Sequence, residues 1–158
     1  MIFQDTITVD APAAKVWDFL LDINRSSGLV PGVQQITLVD ERTFDGVIEA
    51  RVGPISGNFQ FRAHIVDSKP PTELKAEVEG NDSVTRSTLR MDIDMSLDPL
   101  TPETTSMSYK AVVDVRGRLA ILGDMVLRAT AALILEDFAK RLRSELASEE
   151  GAMDAGSV

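Results

Sequence analysis

Residues 117–146 read GRLAILGDMVLRATAALILEDFAKRLRSEL, a run without proline. Its apolar residues recur at the intervals of three and four that are typical of one helix face. Three basic residues, Lys140, Arg141 and Arg143, stand near its end, where cations suit the negative end of a helix dipole. A helix over this range would be roughly 45 Å long, which is enough to cross a whole sheet. The sequence therefore predicts one long C-terminal helix that the rest of the chain covers.

The composition excludes several classes of site. The chain has 158 residues, which is most simply one domain with its own core. It has no cysteine and a single histidine, His64, which excludes disulfides, thiolate-bound metals and an ordinary histidine zinc site. A net charge of −9 opposes binding to nucleic acid. We therefore predict no cofactor, no metal and no nucleic-acid partner.

Neither a signal peptide nor a membrane span is predicted. The first residues, MIFQDTITVD, alternate like a strand and lack the basic group that opens a signal peptide. The most apolar run, residues 119–135, contains Asp124 and Arg128 and is too short to span a bilayer. We expect a soluble, cytoplasmic domain whose contact with the inner face of the membrane is peripheral at most.

The residues before the long helix alternate between apolar and polar, which is typical of strands. Residues 2–10 form the first strand, with Phe3, Ile7 and Val9 on one face. A short amphipathic helix follows, and residues 22–32 hold a second short helical piece. Six more strands are predicted, over residues 33–40, 43–53, 56–66, 72–80, 84–97 and 104–115.

These six strands follow one another without an intervening helix, so they must pair mainly as an antiparallel meander. Each has one apolar face, and the only predicted element long enough to cover the sheet is the final helix. The predicted fold is therefore α+β and of the helix-grip type. It consists of a curved, seven-stranded antiparallel sheet wrapped around a long C-terminal helix, with two short helices after the first strand.

Such a fold leaves a space to fill. One helix is about 10–12 Å wide, whereas seven strands at about 4.8 Å each form a much wider sheet. Only 5% of the residues are aromatic, and many predicted inward positions are alanines, which favours an apolar pocket. The alternative is that the flexible methionines Met91, Met95, Met107 and Met125 fill a compact core. The residues alone leave both interpretations open.

Several glycines and prolines also permit two interpretations. Pro31-Gly32 and the segment from Gly53 to Gly57, which includes Pro54, either shape the mouth of a pocket or are ordinary turns. Gly123, inside the predicted helix, indicates close packing or clearance for a ligand. The inward positions of the strands contain almost nothing titratable, so we predict no proton carrier for acid–base catalysis.

Four segments carry a resemblance to a known family: DAPAAKVWDFLLD at 10–22, PGV at 31–33, VGPISGNFQFRAHI at 52–65 and GRLAILG at 117–123. Together they resemble the CoxG family, the branch of the START-like (SRPBCC) superfamily that is named after the CoxG component of carbon monoxide dehydrogenase. The resemblance runs from about residue 2 to about residue 146. It implies a START-like domain over residues 1–147, followed by an acidic tail, residues 148–158, that we expect to be disordered.

The resemblance implies an accessory binding protein, not an enzyme. Such a protein would hold a hydrophobic small molecule, quinone-like or lipid-like, between sheet and helix. Its partner would be a molybdenum hydroxylase of the carbon monoxide dehydrogenase type, which it would serve in membrane recruitment or in handling the electron acceptor. Two alternatives stay open: a module that recruits this enzyme without a ligand, and a small START-like enzyme such as a cyclase or hydrolase.

The expected site consists of apolar residues on the predicted inward faces. The lining residues are Trp17, Leu20, Ile36, Ile48, Ala50, Phe59, Phe61, Ala63, Ala76, Met91, Met95, Met107, Tyr109, Ala111, Leu119, Leu122, Val126 and Ala129. The pocket mouth is expected at Pro31, Gly32, Gly53, Pro54 and Gly57.

Overall fold

The computed structural model describes the backbone of residues 1–156 and the side chains of residues 1–147. The strands are β1 (Ile2–Val9), β2 (Val33–Asp40), β3 (Thr43–Val52), β4 (Ile55–Lys69), β5 (Glu73–Asp82), β6 (Ser87–Thr101) and β7 (Thr104–Arg116). The helices are α1 (Ala13–Leu21), α2 (Ile23–Ser26) and α3 (Gly123–Gly156), with 3₁₀ turns at Ser27–Leu29 and Arg118–Leu122.

The strands form one antiparallel sheet in the order β1-β7-β6-β5-β4-β3-β2. The predicted helix-grip fold, with seven strands and a long C-terminal helix, is therefore confirmed. The main difference is that β6 continues through Pro99 to Thr101 instead of turning at Asp98. Leu97 donates the last hydrogen bond on the β5 side, 2.7 Å to the carbonyl of Thr72. Beyond Leu97, β6 pairs with β7 alone, so a proline there removes no hydrogen bond from a neighbour on the other side.

The start of the C-terminal helix differs from the prediction, because two glycines delay it. Gly117 and Gly123 have φ angles of 89° and 84°, which favour glycine and interrupt a helix. Between them the chain makes the 3₁₀ turn, and α3 begins only at Gly123. The explanation of Gly123 by close packing was wrong, because an added Cβ there would meet no atom within 4 Å. Its role is conformational.

At the other end, α3 is described to Gly156, ten residues beyond the predicted end at Leu146. The predicted acidic tail, residues 148–158, has no described side chains, and residues 157–158 lie outside the described backbone. That the tail is a disordered segment stays a prediction.

The buried core is divided into two clusters at opposite ends of the sheet. The larger cluster joins β1, α1, the first 3₁₀ turn and the ends of β6, β7 and α3. Its members are Ile7, Val9, Ala11, Val16, Trp17, Phe19, Leu29, Leu97, Met107, Leu142 and Leu146. The smaller cluster consists of Val52, Phe59 and Leu119, with Ile48, Ile55, Val115, Leu122, Val126 and Leu127 packed against it.

The outward face of the sheet carries charges of alternating sign. One row crosses five strands with alternating sign, through Asp45, Arg62, Glu79, Arg90 and Asp114. Within it, Arg62 donates hydrogen bonds of 2.7 and 2.9 Å to the Asp45 carboxylate, which lowers the pKa of that carboxyl. This polar, solvated face directs the apolar face of every strand toward α3.

Candidate functional site

Between the two buried clusters, the inward face of β5 and β6 is only half-buried. Cross-strand pairing places three inward residues of β5 opposite three of β6. These residues are Leu74, Ala76, Val78, Met91, Ile93 and Met95, and all are partly accessible to solvent. The two strands are near the middle of the sheet, where a filled core would bury side chains most completely. Sheet and helix therefore meet at both ends and leave a space between them.

The helix side of this space is lined by the half-buried face of α3. That face includes Val126, Thr130, Ile134 and Phe138, whereas Leu142, farther along, is fully buried in the larger cluster. Most of the lining is therefore apolar, with one hydroxyl group, that of Thr130. This hydroxyl donates a 3.0 Å hydrogen bond to the carbonyl of Val126 one turn earlier, so it is already satisfied.

One residue predicted to line the pocket, Ala129, lies on the other side of the helix. It is exposed, like Leu133 at 68% and Met125 at 86%. The error has a physical cause. The apolar residues of α3 cover more than one face, so intervals of three and four can be followed along the wrong face as easily as along the right one. Ala129 therefore does not face the sheet.

The other predicted lining residues fall into three groups. Trp17 and Met107 belong to the larger buried cluster, Phe59 and Leu119 belong to the smaller one, and Leu20, Ile48, Leu122 and Val126 pack at the cluster margins. Ala63 and Ala111 are buried in the sheet. The half-buried remainder consists of Ile36, Ala50, Phe61, Ala76, Met91, Met95 and Tyr109, of which Met95 and Tyr109 pack against the larger cluster. That these residues line a pocket and contact a ligand stays a prediction.

The predicted mouth residues serve mainly the local backbone. An added Cβ on Gly32, whose φ is 88°, would collide with the carbonyl oxygen of Glu49, so the glycine allows the chain to cross β3. Gly57 is buried under the ring of Phe59 inside β4. Only Gly53, with a φ of 58°, stands beside α3, where its Cβ position is 3.2 Å from a methyl group of Val126. Its exposed neighbour Pro54 belongs to the same turn, whereas Pro31 is half-buried before β2.

A second opening lies between the edge strand β1 and α3. It is a groove of ≈ 780 Å³ whose walls include Phe3, Asp5 and Tyr109 on the sheet side and Leu135 and Ala139 on the helix side. Sequence reasoning missed Asp5, which was treated as part of an inward face with almost nothing titratable. The signal was present, because Asp5 is in phase with Phe3, Ile7 and Val9, and an alternating strand directs such residues to one face.

Asp5 lies directly opposite Tyr109 in the β1–β7 pairing. Partial burial of the Tyr109 ring raises the pKa of its phenol above the ordinary value of 10.0, and the negative charge of Asp5 raises it further. At neutral pH the phenol is therefore a neutral hydroxyl group. Acid and phenol together give the groove one acceptor and one group that both donates and accepts hydrogen bonds.

A buried polar network lies at the end of the sheet near the second 3₁₀ turn, Arg118–Leu122. The Asp82 carboxylate, 3% exposed, accepts hydrogen bonds from the backbone of Val84 and the hydroxyl of Thr85, both at 3.0 Å. Ser87, 1% exposed, accepts one of 3.1 Å from the backbone N–H of Leu119. Both Asp82 oxygens have partners inside the protein, so no ligand is needed to satisfy them. The network holds the β5–β6 loop against the 3₁₀ turn at Arg118–Leu122.

Two further grooves, of ≈ 810 and ≈ 790 Å³, lie on the outward face and are lined mainly by polar and charged side chains, among them Lys75, Asp94, Arg62 and Glu79. Among residues 1–147 no three histidine or acidic side chains come together as ligands for a metal ion. In the part of the chain that the structure describes, none of the helices combines the length and the apolar character that crossing a bilayer requires.

Comparison with solved structures gives the same fold at low sequence identity. A conserved protein from Geobacillus kaustophilus is 23% identical with a TM-score of 0.87, over 94% of this chain and 96% of that one. A START superfamily protein from Mycobacterium smegmatis is 15% identical with a TM-score of 0.73, over 93% and 97% of the two chains. The Zhui aromatase/cyclase from Streptomyces sp. R1128 is 14% identical with a TM-score of 0.70, over 92% of each.

These likenesses show a START-like fold and, at such identities, nothing more specific. No curated protein matches the sequence significantly. A family model does match: that of CoxG, the G subunit of carbon monoxide dehydrogenase, over residues 6–147, which is nearly the whole described domain. The chain belongs to the CoxG family.

Proposed function

We propose that this protein is a non-catalytic accessory protein that holds a hydrophobic small molecule, quinone-like or lipid-like, between the sheet and α3. One observation carries the proposal: the inward aliphatic residues of β5 and β6 stay half-buried although they occupy the middle of the sheet. A hydrophobe in this space would remove their remaining apolar surface from water, at about 25 cal/mol per Å².

The wall of the space supports binding over catalysis. Around Ala76 and Met91 it presents aliphatic side chains, which can exclude water from a hydrophobe but cannot transfer a proton. Membership of the CoxG family supports an enzyme of the carbon monoxide dehydrogenase type as the partner. The protein would act in the cytoplasm, in contact with the inner face of the membrane when it exchanges its ligand.

The test is purification without detergent, followed by solvent extraction and mass spectrometry of the bound material. The variant Ala76→Trp places a large side chain in the middle of the space. The control Ala129→Trp makes the same change on the exposed face of α3. We expect a stoichiometric hydrophobe from the wild type and Ala129→Trp, and a loss of at least tenfold in Ala76→Trp. Equal recovery from both variants, or no hydrophobe from any, would contradict the proposal.

A specific surface favours a second function, recruitment of the enzyme by direct contact. Ile121 is 82% exposed and Met125 86%, both near the start of α3, and these are the highest exposures among the large apolar side chains of residues 1–147. If this surface binds the enzyme, Met125→Asp should abolish co-purification while Ala76→Trp leaves it intact. Loss of co-purification in Ala76→Trp but not in Met125→Asp would show that enzyme binding depends on the ligand instead.

A further inference from the structure

The groove between β1 and α3 has a defined length, because two arginines attach the helix to the strand edge. Arg143 Nε donates a 3.1 Å hydrogen bond to the carbonyl of Thr8. Near the other end of β1, the Arg128 guanidinium lies 5.5 Å from the ring centre of Phe3 and reaches the carbonyl of Ile2 at 3.5 Å. The helix rises about 22 Å between these arginines, and the strand about 20 Å between the two carbonyls. Helix and edge therefore run side by side for the whole of β1.

The floor of this groove continues into the space under the sheet. Asp5 is paired with Tyr109, Tyr109 with Met95, and Met95 with Leu74, so these four side chains form one inward row across four adjacent strands. The row is polar where it meets the groove and aliphatic toward the middle of the sheet. A molecule lying along it would have one polar end and an apolar body.

The charges of the groove select the chemistry of that polar end. Three cations, Arg128, Lys140 and Arg143, and two anions, Asp5 and Glu136, line it. A cationic end group would therefore meet a small excess of positive charge. An anionic end group would meet the carboxylate of Asp5 at the inner wall. A neutral group that donates a hydrogen bond suits Asp5, because an ionised carboxylate only accepts.

We propose that the β1–α3 groove binds the polar end of the carried molecule, and that Asp5 and Tyr109 select a hydrophobe ending in a neutral hydroxyl group. This inference rests on the proposed carrier function and names the ligand class that it would favour. For a quinone-like ligand, the reduced form has the hydroxyl donors and the oxidised form has only carbonyl acceptors. The groove would then retain the reduced form more strongly.

A matched pair of probes isolates the hydroxyl group: 2-naphthol and 2-methoxynaphthalene share one ring system, and only the first donates a hydrogen bond. The measured quantity is the ratio of the two dissociation constants, compared between variants. The two probes differ in hydration, but this difference is the same for every variant and drops out when the ratios are compared. The test variants are Asp5→Ala and Tyr109→Phe, and Thr8→Ala is the control, an exposed side chain on the opposite face of β1 that does not line the groove.

We expect Asp5→Ala to shift the ratio against naphthol by about tenfold, the low end for a hydrogen bond to a charged group, since Asp5 is exposed and its Oδ1 already accepts a 2.8 Å hydrogen bond from the backbone N–H of Thr6. Tyr109→Phe should shift it two- to fivefold in the same direction. Methoxynaphthalene affinity should stay unchanged in Asp5→Ala, because the ether cannot donate to the carboxylate, and Thr8→Ala should leave the ratio unaltered. An unaltered ratio in Asp5→Ala, with both probes bound, would overturn this inference and leave the carrier function standing. Failure of both probes to bind the wild type would overturn both.

Discussion

The hydroxyl oxygen of Ser87 accepts a 3.1 Å hydrogen bond from the backbone N–H of Leu119, and both residues are at most 5% exposed. This bond connects the first residue of β6 to the 3₁₀ turn that precedes the long helix. It holds the 3₁₀ turn against the start of β6 at the point where the chain leaves the sheet for α3.

Replacing Ser87 should destabilise the protein measurably. Ser87→Ala leaves the buried N–H of Leu119 without an acceptor, which costs about 1–3 kcal/mol. Denaturant unfolding followed by the fluorescence of the single tryptophan, Trp17, measures the change. The control, Ser83→Ala, alters an exposed serine in the adjacent loop and should stay within about 0.5 kcal/mol of wild type. Equal effects of the two variants would show that the Ser87 bond contributes little.

The two glycines that bracket the 3₁₀ turn should respond unequally to alanine. Both have positive φ with an extended ψ, and a side chain there costs about 1–3 kcal/mol. At Gly117 the new Cβ would also collide with the carbonyl oxygen of Arg86, whereas at Gly123 it would meet open space. Gly117→Ala should therefore be clearly the more destabilising variant by thermal unfolding. An equal or greater loss at Gly123 would contradict the assigned roles.

The ionisation of Tyr109 should report on its surroundings. It is the single tyrosine of the chain, so phenolate absorbance follows it without interference from another phenol. Its pKa should lie above 10.0, and Asp5→Asn should lower this pKa without restoring the ordinary value, since burial is the larger cause. With a raised folded-state pKa, the stabilising contribution is complete below the unfolded pKa and is lost as pH rises through the folded one. A pKa at or below 10.0 in the wild type would mean that the ring is open to water.

Two methionines should separate the packed core from the unfilled space. Met107 is 2% exposed within the larger cluster, so Met107→Ala should cost about 2–5 kcal/mol. Met91 is half-buried beside the space, and Met91→Ala should cost only about 1 kcal/mol. Denaturant midpoints of the two variants provide the comparison. Costs of equal size would indicate that the centre of the sheet is as tightly packed as its end.

The fold could be predicted from sequence because its signals are local. Alternation in segments such as 89–97 predicted each strand, and short turns between strands left only the antiparallel meander. The position of Gly123 at the helix start could not be predicted in this way. The sequence around a glycine in an apolar run is the same whether the glycine allows close packing, a bend or a helix start. Only the φ angle of the glycine distinguishes these roles.

The candidate site was predictable only in outline. The alternating pattern placed Ala76, Met91 and Met95 on the inward face, but it could not show whether the facing helix touches them. That depends on where α3 packs, with Leu142 in the larger cluster and Val126 against the smaller one, and the contacts of these clusters join residues distant in sequence. Asp5 was missed because the inward face of the first strand was assigned from Phe3, Ile7 and Val9 alone, although the alternation assigns Asp5 to the same face.

The most direct test of a ligand-binding space between sheet and helix is methyl NMR of the methionines during titration with decylubiquinone, a short-chain quinone. Met91 and Met95 border the space, whereas Met125 is 86% exposed on the far side of α3. We predict saturable shifts of the Met91 and Met95 methyl signals while the Met125 signal stays in place. A shift confined to Met125, or unchanged signals of Met91 and Met95 at saturating quinone, would contradict the account.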